Sequence, residues 1–131
     1  MKRLQTGMGL FMALSLGTIV LTSAKPDNSS VTTEGKYKVV NTTTIGKDIT
    51  GYHGATPVKI YINKKNTIVK VEALKNRETP NVFKKAEALL RKFEGKSVKK
   101  ASKLQVDAVT GATYSSNALI KNVKLGLKQV D

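Results

Sequence analysis

The sequence predicts an α+β fold in which an antiparallel, hairpin-based β-sheet carries two main α-helices packed on one face. Two observations predict this class. Segments rich in β-forming residues occupy positions 37–74, whereas helical patterns follow at 79–93 and 115–128 of the 131 residues, so strands precede helices along the chain. Both helical patterns are amphipathic, so each helix has one apolar stripe to bury against the sheet.

The first 24 residues have the pattern of a targeting segment. Lys2 and Arg3 precede an apolar, uncharged run from Gly7 to Leu21, and small residues follow at 22–24. This run is shorter than the about 20 residues that a membrane span needs, which favours a cleaved secretory signal. An uncleaved N-terminal membrane anchor stays open. Either alternative places the rest of the chain outside the cytoplasm, in the periplasm or secreted.

The folded domain is predicted over residues 37–131. Residues 25–36 are polar and rich in Ser and Thr, and we expect them to form a flexible linker. Residues Tyr37–Thr44 are mostly β-forming and predict the first strand. Gly46, Gly51 and Gly54 then indicate a loop at Gly51–Pro57, which we call the glycine loop.

A β-hairpin is the clearest local pattern. Val58–Ile62 and Thr67–Leu74 predict its strands, and Asn63–Asn66 predicts its turn. Apolar and charged residues alternate in the second strand, which predicts one buried and one solvated face. The residues expected on the buried face are Val69, Val71 and Ala73.

The first helix is predicted to start at Thr79–Pro80, with Thr79 as N-cap and Pro80 at the first helical position. Apolar residues then recur at helical spacing as far as Phe93, and Gly95 marks the predicted end. This stripe is interpreted as core rather than as part of a cofactor site.

The last helix is predicted from Ser115 to Lys128. Before it, residues 97–103 predict a short turn or helix, and residues 104–106 predict a brief strand. Apolar residues in the last helix recur every three or four positions, which predicts one buried face. Its expected buried residues are Leu119, Ile120, Val123 and Leu127.

The segment Asp107–Ser116 leads into the last helix and consists mainly of small and hydroxyl-bearing residues. The positive end of a helix dipole favours an anion such as phosphate. Gly111 and Ala112 leave the backbone beside Thr113 unobstructed, so another molecule could reach the Thr113 hydroxyl.

The other polar side chains of this segment have two interpretations each. Ser115 and Ser116 could cap the helix or contact a phosphate directly. Asp107 could close a turn or take part in recognition by a modifying protein.

The residue inventory limits the possible redox chemistry. The chain has no cysteine, its three methionines are Met1, Met8 and Met12, and His53 is its one histidine. Disulfides, Fe–S clusters and thioether-linked haem are therefore excluded, and no metal site is predicted. If the protein carries out electron chemistry, it needs an organic cofactor.

The chain is strongly basic. Its net charge is +14, which suits an acidic partner or an anionic surface. Four Tyr and three Phe are too few to predict aromatic residues interleaved with basic ones, so nucleic acid is not an expected partner. Lysines on solvated faces are the simplest interpretation of the charge.

Thr113 offers one nucleophilic oxygen. To act as a catalyst it would need a base to remove its proton and an activated electrophile. The sequence contains no Ser–His–Asp set, and His53 alone cannot be assigned as a base. We therefore interpret Thr113 as an acceptor that another protein modifies.

The segment Asp107–Ser116 resembles the flavinylation motif Asp-x-x-(Ser/Thr)-Gly-Ala-Thr-x-(Ser/Thr) of the FMN-binding domain family. That family includes the C subunit of the sodium-pumping NADH:quinone reductase, the G subunit of the Rnf complex and small secreted FMN-binding proteins. Thr113 matches the threonine that receives the flavin. The other matching positions are Asp107, Thr110, Gly111, Ala112 and Ser115, and Ser116 extends the hydroxyl run.

The resemblance covers about residues 37–127. Gly51–Pro57 and the following hairpin are similar to the start of the family domain, and Glu78–Pro80 is similar to its Glu-Thr-Pro-Gly loop near the flavin ring. Asn81 replaces the glycine of that loop, and Asn tolerates positive φ better than most residues. The resemblance implies that Thr79 is a flavin neighbour.

The resemblance also implies a function. In the family, a flavin transferase that depends on FAD and magnesium attaches FMN to the motif threonine through a phosphodiester bond. This chain would then carry covalent FMN on Thr113 and transfer electrons between a membrane electron-transfer complex or an extracytoplasmic reductase and an acceptor. It would be a carrier rather than an enzyme by itself. A flavin-dependent reductase component with a small substrate, and a basic secreted binding module without cofactor, are the open alternatives.

Overall fold

One antiparallel sheet and three α-helices form the domain. The computed structural model describes residues 30–131, so the predicted targeting segment lies outside the described residues. The sheet order is β1-β2-β3-β4, so each strand pairs with its neighbour in sequence. The strands are Val31–Glu34 (β1), Tyr37–Asn41 (β2), Val58–Ile62 (β3) and Ile68–Ala73 (β4). The helices are Pro80–Glu87 (α1), Val98–Ser102 (α2) and Thr113–Lys128 (α3). The predicted α+β class is confirmed.

The first strand, β1, lies in the segment predicted to be a flexible linker, so that prediction is wrong for Val31–Glu34. Gly35, at φ +61°, reverses the chain, and β1 then pairs with β2 along its whole length. β1 is mostly exposed because it forms an edge of the sheet. Its polar composition is therefore compatible with a strand, and Val and Thr supply the β propensity.

The hairpin of β3 and β4 contains a β-bulge. Ile62 pairs with Ile68, but the adjacent pair is Tyr61 with Lys70, which leaves Val69 as an extra residue. Val69 is therefore exposed rather than buried, and Ile68 is buried in its place. Strict alternation does not continue through a bulge, which explains the wrong prediction for Val69.

The first helix begins at Pro80, as predicted, with Thr79 at the N-cap position but without a side-chain capping hydrogen bond. The chain continues as a 3₁₀ helix, Ala88–Lys92, instead of one long α-helix. The predicted apolar stripe is nevertheless buried. Its buried members are Phe83, Ala86, Leu89, Leu90 and Phe93. No helix within residues 30–131 is long and apolar enough to cross a membrane.

The last helix, α3, packs against α1, β2 and β3 and begins two residues earlier than predicted. Leu119, Val123 and Leu127 are fully buried, as expected, and Ile120 is partly buried. Residues 104–109 have no regular secondary structure, so the brief strand predicted there is wrong.

A buried polar network fixes the long connection between β2 and β3 to α3. The Asn122 side chain is fully buried; its carbonyl accepts from Thr42 Oγ1 at 2.9 Å, and its amide donates to Thr56 Oγ1 at 3.3 Å. Thr42 Oγ1 also accepts from the Val58 N–H at 2.9 Å. Both ends of the connection are thus held against the helix, which positions the glycine loop between them.

Gly126 provides a test of this packing. A Cβ at Gly126 would lie 2.8 Å from Ile60 Cδ1 and 3.1 Å from Thr42 Cγ2. We expect Gly126→Val to destabilise the domain by about 1–3 kcal/mol through overpacking. Lys121→Val, at an exposed position of the same helix, should change stability by about 0.5 kcal/mol or less. Urea unfolding measures both, and equal losses in the two variants would contradict close packing of α3 on the sheet.

Candidate functional site

A tight turn at residues 109–112, which we call the motif turn, precedes α3. The Ala112 N–H donates to the Val109 carbonyl at 2.9 Å, and Gly111 has φ +85° at the third position of this four-residue turn. A type II turn requires a positive φ there, which glycine adopts without steric cost. Gly111 is therefore explained by the turn, and Ala112 by its burial in the core.

Thr113 is the first residue of α3, and its side chain is exposed. The Ser116 N–H donates to the Ala112 carbonyl at 2.9 Å, so the N–H groups of residues 113–115 lie before the first hydrogen bond of the helix. The first turn of α3 contains no acidic residue. The positive end of the helix dipole therefore lies beside Thr113, and the carboxylate held at this turn is that of Glu78, from the loop after β4.

Ser115 and Ser116 are buried, and each has a partner inside the protein. Ser115 Oγ donates to Glu78 Oε1 at 2.5 Å, and Ser116 Oγ accepts from the Val109 N–H at 3.0 Å. No side chain caps the start of α3, so the capping interpretation is wrong for both serines. Ser116 instead holds the motif turn against the helix, and the single hydroxyl proton of Ser115 is directed at a carboxylate.

The buried carboxylate of Glu78 joins three segments of the site. Besides Ser115, it accepts from the Tyr52 N–H at 2.8 Å and the His53 N–H at 2.5 Å, and the residue is 6% exposed. A Cβ at Gly51 would collide with this carboxylate, so glycine allows the loop to approach it. One side chain thus fixes the glycine loop, the loop after β4 and the start of α3 relative to one another.

The Glu78 carboxylate is ionised at neutral pH. Burial raises the pKa of Glu78, but the hydrogen bonds from Ser115, His53 and Tyr52 outweigh burial and hold the pKa below the ordinary value of 4.5. A carboxyl group whose pKa is lowered by folding stabilises the fold above its unfolded pKa. That contribution is lost as the pH falls through the lower pKa of the folded state.

A cleft of about 260 Å³ opens between these segments, and we call it the flavin cleft after the cofactor that the sequence resemblance implies. Small-molecule pockets typically have about 300–1,000 Å³, so this cleft would enclose only part of a flavin nucleotide. Of the predicted site residues, it brings together Thr79, Gly111, Ala112, Thr113 and Ser115. It is also lined by Tyr52, Glu78, Val82 and Tyr114.

Two exposed tyrosines stand at the cleft. Tyr52 is 69% exposed and Tyr114 is 66% exposed, and their ring centroids are 5.9 Å apart. His53 packs edge-on against Tyr52, and its Nε2 lies 3.4 Å from Thr79 Oγ1. Exposed aromatic faces beside a cleft can stack on a flat, partly apolar ring.

The remaining predicted site residues lie outside the cleft. Asp107 and Thr110 are exposed on the loop before α3, and Ser116 is buried behind the motif turn. Their predicted roles toward a cofactor or a modifying protein stay predictions. Within residues 30–131, no three or more His, Cys, Asp or Glu side chains are grouped to hold a metal ion.

The sequence pattern alone did not select four residues of this site. Val82 was assigned to the core stripe, but it is half-buried and lines the cleft. Glu78 could have been found from the Glu78–Pro80 segment, where only Thr79 was chosen. Tyr52 and Tyr114 gave no signal, because a tyrosine in a loop or a first helical turn is ordinary.

Comparison with known proteins shows the family of the chain. A family model described as "FMN-binding domain" matches residues 51–128, which is more than half of the chain. The chain therefore belongs to the FMN-binding domain family, and FMN is the ligand that this family membership supports. The match contains the glycine loop, Glu78 and the motif turn. Searches of the curated proteins and of the solved structures each found no match.

We expect Glu78→Gln to destabilise the domain by about 1–3 kcal/mol near neutral pH. A neutral amide offers one acceptor oxygen to three donors and adds two donors of its own. Glu87→Gln, at an exposed position of α1, is the matched control and should stay within about 0.5 kcal/mol of the wild type.

The pH dependence gives a second readout. Urea unfolding from about pH 7 to about pH 3 should bring wild type and Glu78→Gln closer together, because the stability from the lowered Glu78 pKa is lost in acid. A difference that stays constant over this range would contradict an ionised Glu78 as the acceptor of these bonds.

Proposed function

We propose that this domain carries FMN covalently on Thr113 and acts outside the cytoplasm as an electron carrier. The observation that supports this most directly is the position of Thr113. In a member of the FMN-binding domain family, its exposed hydroxyl lies at the positive end of α3 and at the edge of the flavin cleft.

The surroundings of Thr113 fit a phosphodiester. Such a group keeps one negative charge, which the N–H groups of residues 113–115 would face. Placement at a helix N-terminus stabilises an exposed anion by about 0.3–1 kcal/mol. Because Ser115 donates to Glu78 and Ser116 faces the motif turn, these backbone groups are the better phosphate ligands.

The flavin ring would lie in the cleft against aromatic and apolar side chains. Tyr52, Tyr114 and Val82 supply such surfaces. Since the cleft is small, part of the ring would stay in solvent. A partly exposed ring suits a carrier, because a partner must approach the cofactor to exchange electrons.

Attachment requires another protein. The Thr113 oxygen would bond to the phosphorus of the FMN half of FAD, the bond between the two phosphates would break, and AMP would leave while the hydroxyl proton passes to solvent. The carboxylate that lines the flavin cleft, Glu78, already accepts three hydrogen bonds, and none of them comes from Thr113. We therefore assign attachment to a flavin transferase that uses FAD and magnesium.

Bound FMN supplies one- and two-electron chemistry, and the chain supplies attachment, orientation and partial exposure. The predicted signal or anchor at residues 1–24 supports a periplasmic, secreted or membrane-anchored location. The proposed partners are accordingly a membrane electron-transfer complex or an extracytoplasmic reductase. A covalent bond would retain the flavin there.

A reductase component with a small substrate is the second candidate. The only carboxylate that lines the flavin cleft is Glu78, and three protein donors already satisfy it, which favours the carrier. Family membership likewise disfavours a binding module without cofactor.

The attachment site can be tested by flavinylation in cells. We expect the full chain, expressed with a flavin transferase, to fluoresce in a denaturing gel and to gain the mass of one FMN less water. Thr113→Ala should lose both signals, because it lacks the acceptor oxygen. Thr33→Ala, on the exposed edge strand β1, is the matched control and should keep them. A fluorescent Thr113→Ala protein would show that the attachment site is elsewhere.

The carrier role can be tested by turnover. We expect the purified flavoprotein to show a single oxidation or reduction per FMN, and no steady-state turnover, with small acceptors in the absence of a partner reductase. Stopped-flow absorbance of the flavin measures this. Sustained turnover without a partner would favour the reductase.

A further inference from the structure

We propose that a second cleft, adjacent to the flavin cleft, is the docking surface for an acidic redox partner protein. This cationic cleft has a volume of about 470 Å³. Its main lining residues are Thr43, His53, Pro57, Lys75, Asn76 and Arg77. The proposal rests on the proposed function, because a redox partner is useful only near a bound flavin.

The two clefts are formed by the same two loops. Tyr52 lines the flavin cleft, whereas the next residue, His53, lines the cationic cleft. In the other loop, Glu78 lines the flavin cleft and the preceding residue, Arg77, lines the cationic cleft. A partner bound in the cationic cleft would therefore lie next to the flavin site, because adjacent residues of the same two loops line both clefts.

The charge of the cationic cleft is not neutralised locally. Lys75 and Arg77 are exposed, and no carboxylate lines the cleft. The one salt bridge in the part of the chain that the structure describes joins Lys59 and Glu34, so neither cation is paired there. An acidic surface would find two free cations at this position.

The loop that carries both cations has a fixed shape. The Asn76 amide donates to the Leu74 carbonyl at 3.0 Å, and its side-chain oxygen accepts from the Glu78 N–H at 3.0 Å. The next carboxylate along, Glu78, is turned inward and held by its own partners. In this loop, the positive side chains of Lys75 and Arg77 are therefore exposed to solvent, whereas the negative side chain of Glu78 is buried.

A protein surface fits this cleft better than a small anion does. Its charged groups sit on long exposed side chains, and its polar lining includes no buried side chain of the kind that orients a small ligand. Ala55 and Pro57 add apolar surface between the charges. Interfaces between electron-transfer proteins bury a small area, and their formation is guided by charge.

The first test needs no flavin. A hexaglutamate peptide, titrated into ¹⁵N-labelled protein isolated after expression of the full chain, should shift amide signals at residues 43, 53–56 and 75–77. The shifts should disappear near 1 M salt, where the Debye length is about 3 Å. Shifts spread over all lysines, or centred on the turn at 63–66, would overturn the proposal whether or not Thr113 carries FMN.

The second test uses a charge-matched pair of variants. Ferricyanide, a small anion, serves here as a probe of the positive potential beside the flavin and not as a ligand of the cationic cleft. Two ferricyanide ions, each accepting one electron, reoxidise one two-electron-reduced FMN, and the protons that the flavin releases go to buffer. The K75Q/R77Q variant should slow this step at least about threefold at low salt, whereas K64Q/K65Q, with the same net charge at the opposite end of the sheet, should not. Equal rates in the two variants would overturn the proposal.

A lipid surface is the competing occupant. Vesicles of phosphatidylglycerol should bind wild type and K75Q/R77Q alike if the cationic cleft serves a protein. If K75Q/R77Q abolishes vesicle binding but leaves the hexaglutamate shifts unchanged, the surface recognises membrane and the proposal is wrong. Failure of flavin attachment affects only the ferricyanide test, so it is distinguishable from failure of the docking surface.

Discussion

The site depends on one interaction, the buried Glu78 carboxylate with its three hydrogen bonds. It holds the loop at 51–54, the loop after β4 and the first turn of α3 in one arrangement. A buried carboxylate is tolerated only where donors compensate its lost hydration, and here the donors come from the two segments that face the loop of Glu78. Because any segment that moved away would leave the buried carboxylate without a compensating donor, each segment is fixed by the other two. The flavin cleft is the space that this arrangement leaves between them.

A second set of buried hydrogen bonds, centred on Asn122, also holds the β2–β3 connection in place. Asn122 ties Thr42 and Thr56, at the two ends of the long β2–β3 connection, to the middle of α3. The connection therefore has little freedom at its ends, and Glu78 fixes its centre. The result is an exposed threonine on a rigid helix end, with loops of defined shape on both sides. We propose that a modifying enzyme and a redox partner recognise this arrangement.

The sequence predicted the elements whose signal is local, and missed those that depend on distant contacts. Pro80 and the helical spacing of apolar residues located α1 and α3, and the motif residues located the turn before Thr113. Strand β1 was missed because an edge strand can be polar, and exposed Val69 because a bulge interrupts alternation. The serines were expected to cap a helix or to bind phosphate. Their actual partners, Glu78 and Val109, are tertiary contacts that no spacing rule describes.

The central claim, a phosphodiester between FMN and Thr113, is tested most directly by ³¹P NMR of the denatured flavoprotein after proteolysis. A phosphodiester lacks the second ionisation that a phosphate monoester has near about pH 6. We predict that the peptide fraction containing Thr113 gives one phosphorus resonance. Its chemical shift should not change between about pH 5 and about pH 8. If the phosphorus is found in a fraction without peptide, and its resonance titrates near about pH 6, the species is free FMN and covalent attachment is contradicted.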